Sequence, residues 1–232
     1  MSTEAPAREL AGRALADPAE DPRRRRTEII RAAISVLGRR GYAETSLKEI
    51  AREAGVAQGL LHYYFDSKEA LLVGVVEELG SDLAGTWTRA VAGIEDPLER
   101  LVAALDAAER QCAAHPQRWR LLLDLYMLGL SNAAIGKRCQ ALRSRFVEDV
   151  ETEVRPVLGR LPAYSIAPPG DLAATIAASV EGIVMGALIE ARDPSAHFQV
   201  LKVMLLSLVV TAYVTAGEAP PLGRLAQLLR QR

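Results

Sequence analysis

Apolar residues recur along this chain with the period of a helix, not of a strand. Ile30, Ala33, Ile34 and Leu37 fall at i, i+3, i+4 and i+7, one stripe of a helix predicted over residues 24–40, with Gly41 where a C-terminal cap glycine belongs. Leu47, Ile50, Ala51 and Ala54 repeat the spacing in a second helix that Gly55 ends. Ser46 and Glu49 open that helix with an S-x-x-E pattern, in which each side chain satisfies a free amide of the first turn. A few residues on, the segment 58–65 makes a third, short helix. Leu61 and Phe65 share one of its faces; Gln58, Gly59, His62 and Tyr63 share another. Asp66 is placed to cap a fourth helix, whose apolar face continues through Leu71, Leu72, Val75, Val76 and Leu79.

The remainder predicts longer helices. Pro97 opens one that ends near Ala114, and Pro116 separates it from a helix over 117–130. Residues 132–158 carry Ile135, Cys139, Leu142, Phe146, Val150 and Val154 on a single stripe. A loop over 159–170 holds three prolines, and two mostly apolar helices follow at 171–192 and 195–216. After Gly217 comes a tail with two prolines and a short Leu/Arg helix candidate. Period-two alternation is hard to find and aromatic residues make up only 5% of the chain, so the expected fold is all-α.

Residues 1–22 are rich in Ala, Pro and acidic residues and read as a mobile arm. Charge then separates the parts. Residues 23–68 hold ten Lys/Arg against five Asp/Glu, a local +5 in a chain of net charge -1. That is the footprint of a polyanion site, although a basic run is as often a solvated face. Cys112 and Cys139 match no metal or redox spacing, and no metal or cofactor is expected. No apolar signal segment stands near the start, so a cytoplasmic location is expected. Val203–Gly217 lacks charge but is shorter than a membrane span needs, which favours a buried helix and no membrane partner.

Two short helices joined by a tight glycine turn, after a first helix, form a helix-turn-helix. The last helix of such a unit must fit the major groove and present side chains to base edges. The runs Thr45-Ser46-Leu47-Lys48-Glu49-Ile50-Ala51-Arg52-Glu53-Ala54-Gly55-Val56 and Leu61-His62-Tyr63-Tyr64-Phe65-Asp66-Ser67-Lys68-Glu69-Ala70-Leu71-Leu72 resemble the DNA-binding domain of the TetR family of transcriptional regulators. The resemblance covers roughly residues 27–72, about a fifth of the chain. It implies an N-terminal three-helix reader over 23–70, a larger helical effector-binding and dimerisation domain over 71–217, and a tail over 218–232. It also implies that Gln58 meets a base edge and that Gly59 and Leu60 lie close to the groove. His62 and Tyr63 would touch bases, a thymine methyl or a phosphate, with packing on the first helix the alternative for Tyr63. Tyr64, Lys68, Thr45 and Lys48 would hold the DNA backbone. His62 departs from the aromatic that many members carry there.

Two helices apolar nearly all round need cover on every side. A homodimer would provide it, with Ala174, Ala178, Gly182 and Gly186 at four-residue spacing and Leu205 and Val209 across from them; a purely internal core is the alternative. A small-molecule effector pocket among the central helices would be lined by Trp87, Trp119, Leu123, Tyr126, Met127, Phe146, Glu181 and Met185, each of which also suits a plain core. Glu181 stands out as a carboxylate in apolar sequence. No G-x-G-x-x-G, G-x-x-x-x-G-K-[ST], H-E-x-x-H or G-x-S-x-G occurs, so an enzyme is not expected. The expected function is a repressor that leaves a palindromic operator when it binds its effector. An activator, or a DNA binder of the same fold without an effector, is the alternative.

Overall fold

The computed structural model describes residues 21–158 and 168–230, with the side chain of Leu158 left out. The arm expected over 1–22 lies almost wholly outside these residues, as does most of the 159–170 loop. Ten helices and no strand occur among the described residues. They are α1 (Pro22–Arg40), α2 (Leu47–Glu53), α3 (Gln58–Tyr64), α4 (Lys68–Val91), α5 (Pro97–Ala114), α6 (Pro116–Gly129), α7 (Ala133–Leu158), α8 (Pro169–Glu190), α9 (Ser195–Thr215) and α10 (Leu222–Arg230). The chain divides into two compact units, Met1–Glu78 and Leu79–Arg232, and the division falls within α4.

In the first unit the stripe of α1 is core: Ile29, Ile30, Ala33, Ile34 and Leu37 are buried. Ile50 and Ala51 of α2, Leu61 of α3, Phe65 after it, and Leu71, Leu72, Val75 and Val76 of α4 complete that core. Arg26 of α1 lies 5.1 Å over the Phe65 ring. α4 departs from expectation at its start. The Ala70 amide donates to Ser67 Oγ at 3.0 Å, so Ser67 and not Asp66 supplies the cap. A residue one place nearer the helix has the reach that Asp66 lacks.

In the second unit Leu101, Leu105, Trp119, Leu122, Val150, Val154, Ala173, Ile176, Val180, Phe198 and Leu205 belong to one apolar core. α10 closes a smaller cluster, with Leu225 and Leu228 against Leu98, Val102, Leu206 and Val209. Arg100 of α5 donates to both carboxylate oxygens of Glu153 on α7 at 2.8 Å. Lys202, the charge beside the apolar run of α9, is buried and donates to Asp106 and Glu109 of α5 at 2.6 and 3.1 Å. The two bonds satisfy an ammonium that burial would otherwise leave costly.

α8 and α9 are each long and apolar enough to cross a membrane by length and composition. Each instead packs one face on the charged, amphipathic helices of its own unit and leaves the other face open. Cover on every side is therefore incomplete within one chain. Ile189, Val200, Met204 and Val214 stand exposed.

The end of α6 and the start of α7 approach backbone to backbone. A Cβ on Gly136 would overlap the Gly129 carbonyl oxygen, and one on Gly129 would come within 3.0 Å of the Gly136 Cα. Gly136→Ala is therefore expected to lower unfolding free energy by about 1–3 kcal/mol, seen as an earlier denaturation midpoint.

Candidate nucleic-acid interface and interior cavity

The short helix α3 is held from both ends. At the start of α2, Ser46 Oγ accepts from the Glu49 amide at 3.3 Å, and Glu49 Oε2 accepts from the Ser46 amide at 3.0 Å. Glu49 also bridges to Arg40 of α1 at 3.0 Å. Gly55 turns the chain between α2 and α3 with φ of 66°, a left-handed conformation that a Cβ would strain. Leu61, fully buried, and Phe65 fix which side of α3 faces the core.

That choice leaves Gln58, Gly59, His62 and Tyr63 exposed, with Tyr63 at 78%. Leu60 and Tyr64 are half-buried at the edges of the face. The Tyr63 and Tyr64 rings meet edge to face at 5.2 Å. Lys48 is exposed on α2. An amide, an imidazole and a phenol thus share one open side of a helix short enough for the major groove, with no side chain hydrogen-bonded to them among the described residues.

Two residues expected on the DNA backbone are engaged inside the unit instead. The Thr45 hydroxyl is buried and donates to the Gly41 carbonyl at 2.7 Å. The Lys68 ammonium donates to the Tyr42 and Thr45 carbonyls at 3.2 and 2.7 Å and lies 4.0 Å over the Tyr42 ring. Burial pushes the Lys68 pKa down. Both side chains close the 41–46 turn that leads into α2. The reason is local: the turn leaves carbonyls without helix partners, and these are the nearest donors.

The second unit holds an interior cavity of about 50 Å³. Trp87, Trp119, Tyr126, Phe146 and Glu181 border it; Leu123, Met127 and Met185 do not. Leu123 is half-buried elsewhere, while Met127 and Met185 are 63% and 51% exposed. The neighbour Leu122 takes the inward place on α6, and Arg145 and Asp149 of α7 also reach the wall. The latter pair could have been found from sequence, because Leu142, Arg145, Phe146 and Asp149 fall at i, i+3, i+4 and i+7. Trp87 and Phe146 meet edge to face at 6.0 Å. Burial pushes the Tyr126 phenol pKa up, helped by the Glu181 carboxylate. Burial likewise raises the Cys112 thiol to about 12, so it is inert at neutral pH.

The residues expected at a subunit interface divide. Ala178 and Gly182 are exposed, Ala174 and Gly186 half-buried, and a Cβ on Gly182 or Gly186 would meet nothing within 4 Å. Leu205 and Val209 are corrected: both are buried in the chain's own apolar clusters. α9 turns them toward α5, a choice that its all-round apolar sequence does not reveal.

Residues 29–75, the helix-turn-helix, match the family model described as bacterial regulatory proteins, tetR family. The chain is 38% identical over 81 residues to the HTH-type transcriptional regulator BetI of Brucella anthropi, a match over 35% of this chain and 42% of that protein. It thus spans about two fifths of the length of the curated relatives it matches. A transcriptional regulator from Saccharomonospora viridis, solved in complex with choline, superposes with TM-score 0.69 at 20% identity over 77% of this chain and 94% of that one. FadR from Bacillus subtilis, solved with stearoyl-CoA, gives TM-score 0.66 at 18% identity over 80% and 98%. At that identity the two structures establish the all-helical fold alone.

The capping box has a pH dependence. Glu49 has its pKa lowered below the ordinary 4.5, first by the Ser46 amide, then by the Ser46 hydroxyl and nearby arginines. A depressed folded pKa means that its contribution is present above about pH 4.5 and is lost as pH falls through the folded value. Ser46→Ala is therefore expected to lower Tm at pH 7, with a smaller gap from wild type at pH 3, measured by thermal melts at both.

Proposed function

We propose that this protein is a sequence-specific DNA-binding transcriptional regulator, working as a homodimeric repressor that leaves a palindromic operator when a small molecule enters the second unit. The observation that carries the DNA reading is the open polar face of α3. Gln58 has the donor and acceptor geometry for bidentate pairing with adenine, and Gly59 lets the backbone come near the groove. His62 and Tyr63 continue the face, with Leu60 and Tyr64 at its edges. Lys48 supplies phosphate charge, while Thr45 and Lys68 act by shaping the turn beneath. Ligand entry would shift α4, which starts beside the reader at Lys68 and carries Trp87 of the cavity.

Support for a second copy comes from the open face of α8 and α9. Ala178, Gly182, Met185 and Ile189 lie along α8, with Val200, Met204 and Val214 on α9. The exposed hydroxyls interspersed there are already satisfied. Thr175 donates to the Asp171 carbonyl, Ser207 to Val203 and Thr211 to Ser207, at 2.8 to 2.9 Å. A face whose hydroxyls bond to their own helix loses little when water leaves it. A second copy also supplies the two-fold symmetry that a palindromic site requires.

Titration of the purified chain against fragments of its own genomic neighbourhood is expected to find a two-fold symmetric site, bound with a steep salt dependence. Gln58→Ala should weaken discrimination at one base position by about 1–3 kcal/mol, and Lys48→Ala should lower the salt slope by about one. Binding without sequence preference at moderate salt would sink the reading. In sedimentation, the wild type is expected to run as a dimer and Gly182→Arg or Met204→Glu as a folded monomer. A wild type that stays monomeric at micromolar concentration rejects the interface.

A further inference from the structure

The two solved structures with ligands hold a small cation in one case and a large acyl thioester in the other, so likeness of fold does not choose an effector class. The cavity itself does. Resting on the effector reading above, we propose that the ligand of this protein carries a positive charge, an ammonium or similar cation, on an apolar body, with Glu181 as the counter-charge.

Three features point the same way. The wall is built of aromatic rings, Trp87, Trp119, Tyr126 and Phe146, on three different helices. Such rings attract a cation through their faces and offer an apolar body contact at their edges. Glu181 then brings a carboxylate to the same wall from α8. Its Oε1 is buried and accepts no hydrogen bond from the protein. Arg143 Nε lies 3.3 Å from that same oxygen as an ion pair, without hydrogen-bond geometry, and donates its Nε–H to Oε2 at 3.4 Å. A buried carboxylate oxygen left without a donor is a costly state that a bound donor relieves.

The remaining charges on the wall cancel. Arg145 donates to Asp149 one turn on, at 3.3 Å, so that pair adds no net charge. Arg143 likewise balances Glu181, so what the cavity offers a cation is its rings and a carboxylate oxygen that still lacks a hydrogen bond. Its small size sets the entry requirement. About 50 Å³ holds a few waters, so a ligand body must push rings aside and remodel the wall.

The test uses the full chain and three matched probes: phenylbutyltrimethylammonium, its uncharged tert-butyl isostere, and phenylbutylsulfonate. Both of the chain's two tryptophans border the cavity, so tryptophan fluorescence reads occupancy directly. The ammonium is expected to bind about tenfold more tightly than the isostere, with the sulfonate weakest. Glu181→Gln should abolish that preference and leave isostere affinity unchanged. Arg143→Met should strengthen ammonium binding, because it releases the carboxylate from its partner. An isostere or sulfonate that binds as well as the ammonium, or a preference that survives Glu181→Gln, overturns the cation proposal and leaves the effector pocket standing. Tryptophans silent toward all three probes at millimolar concentration overturn both.

Discussion

A helix of seven residues has no stability of its own in water, because too few hydrogen bonds form to offset nucleation. α3 exists because Leu61 is buried and Phe65 behind it is held between the core and the Arg26 guanidinium. One anchor residue thus fixes both that the helix forms and which way it faces. Since Leu61 points in, Gln58, His62 and Tyr63 point out, for the angular spacing of a helix allows nothing else. The chemistry of the open face is in this sense a by-product of core packing. The side chains on the open face can vary without loss of the fold, provided the anchor stays.

Around that anchor the sequence was most legible where one rule acts alone. The stripes of α1, α2 and α7 place their apolar residues inward or at the core's edge, and the Ser46–Glu49 box closes as its spacing requires. Legibility failed where two donors or two neighbours compete. Asp66 and Ser67 both suit a cap, and only the chain path decides that Ser67 takes it. Leu122 and Leu123 differ by one helical step, so the cavity's wall depends on a helix rotation that a run of three leucines leaves undetermined. Thr45 and Lys68 look like phosphate ligands because their types are right. Their actual partners are carbonyls brought near by a turn that periodicity does not describe.

α8 and α9 show a different limit. Their sequences are apolar nearly all round, so no stripe marks the inner side. Polar pairs settle it instead: Lys202 with Asp106 and Glu109 on one helix, Glu181 with Arg143 on the other. Each pair pins a helix to its neighbours at one rotation. Leu205 is thereby turned inward and Met204 left outside. The charges that look out of place in the sequence orient the apolar helices that carry them.

The small free volume of the cavity bears on how such a protein would switch. A ligand shifts an equilibrium only by the difference between its affinities for the two states. A pocket already open and shaped for its ligand would bind it well in the DNA-competent state, leaving little difference to act on. Here the rings of Trp87 and Phe146 touch and the free space is about 50 Å³, so the closed form offers a ligand few contacts. Most of the binding free energy would then belong to the opened form. Trp87 sits on α4, whose start forms part of the reader's own core through Leu71 and Leu72. Displacing that ring acts on a helix that already has a role at its other end. If the protein responds to a ligand as proposed, a small aromatic cavity would make a better switch than a roomy one, because weak binding to the unliganded form is what gives a ligand leverage.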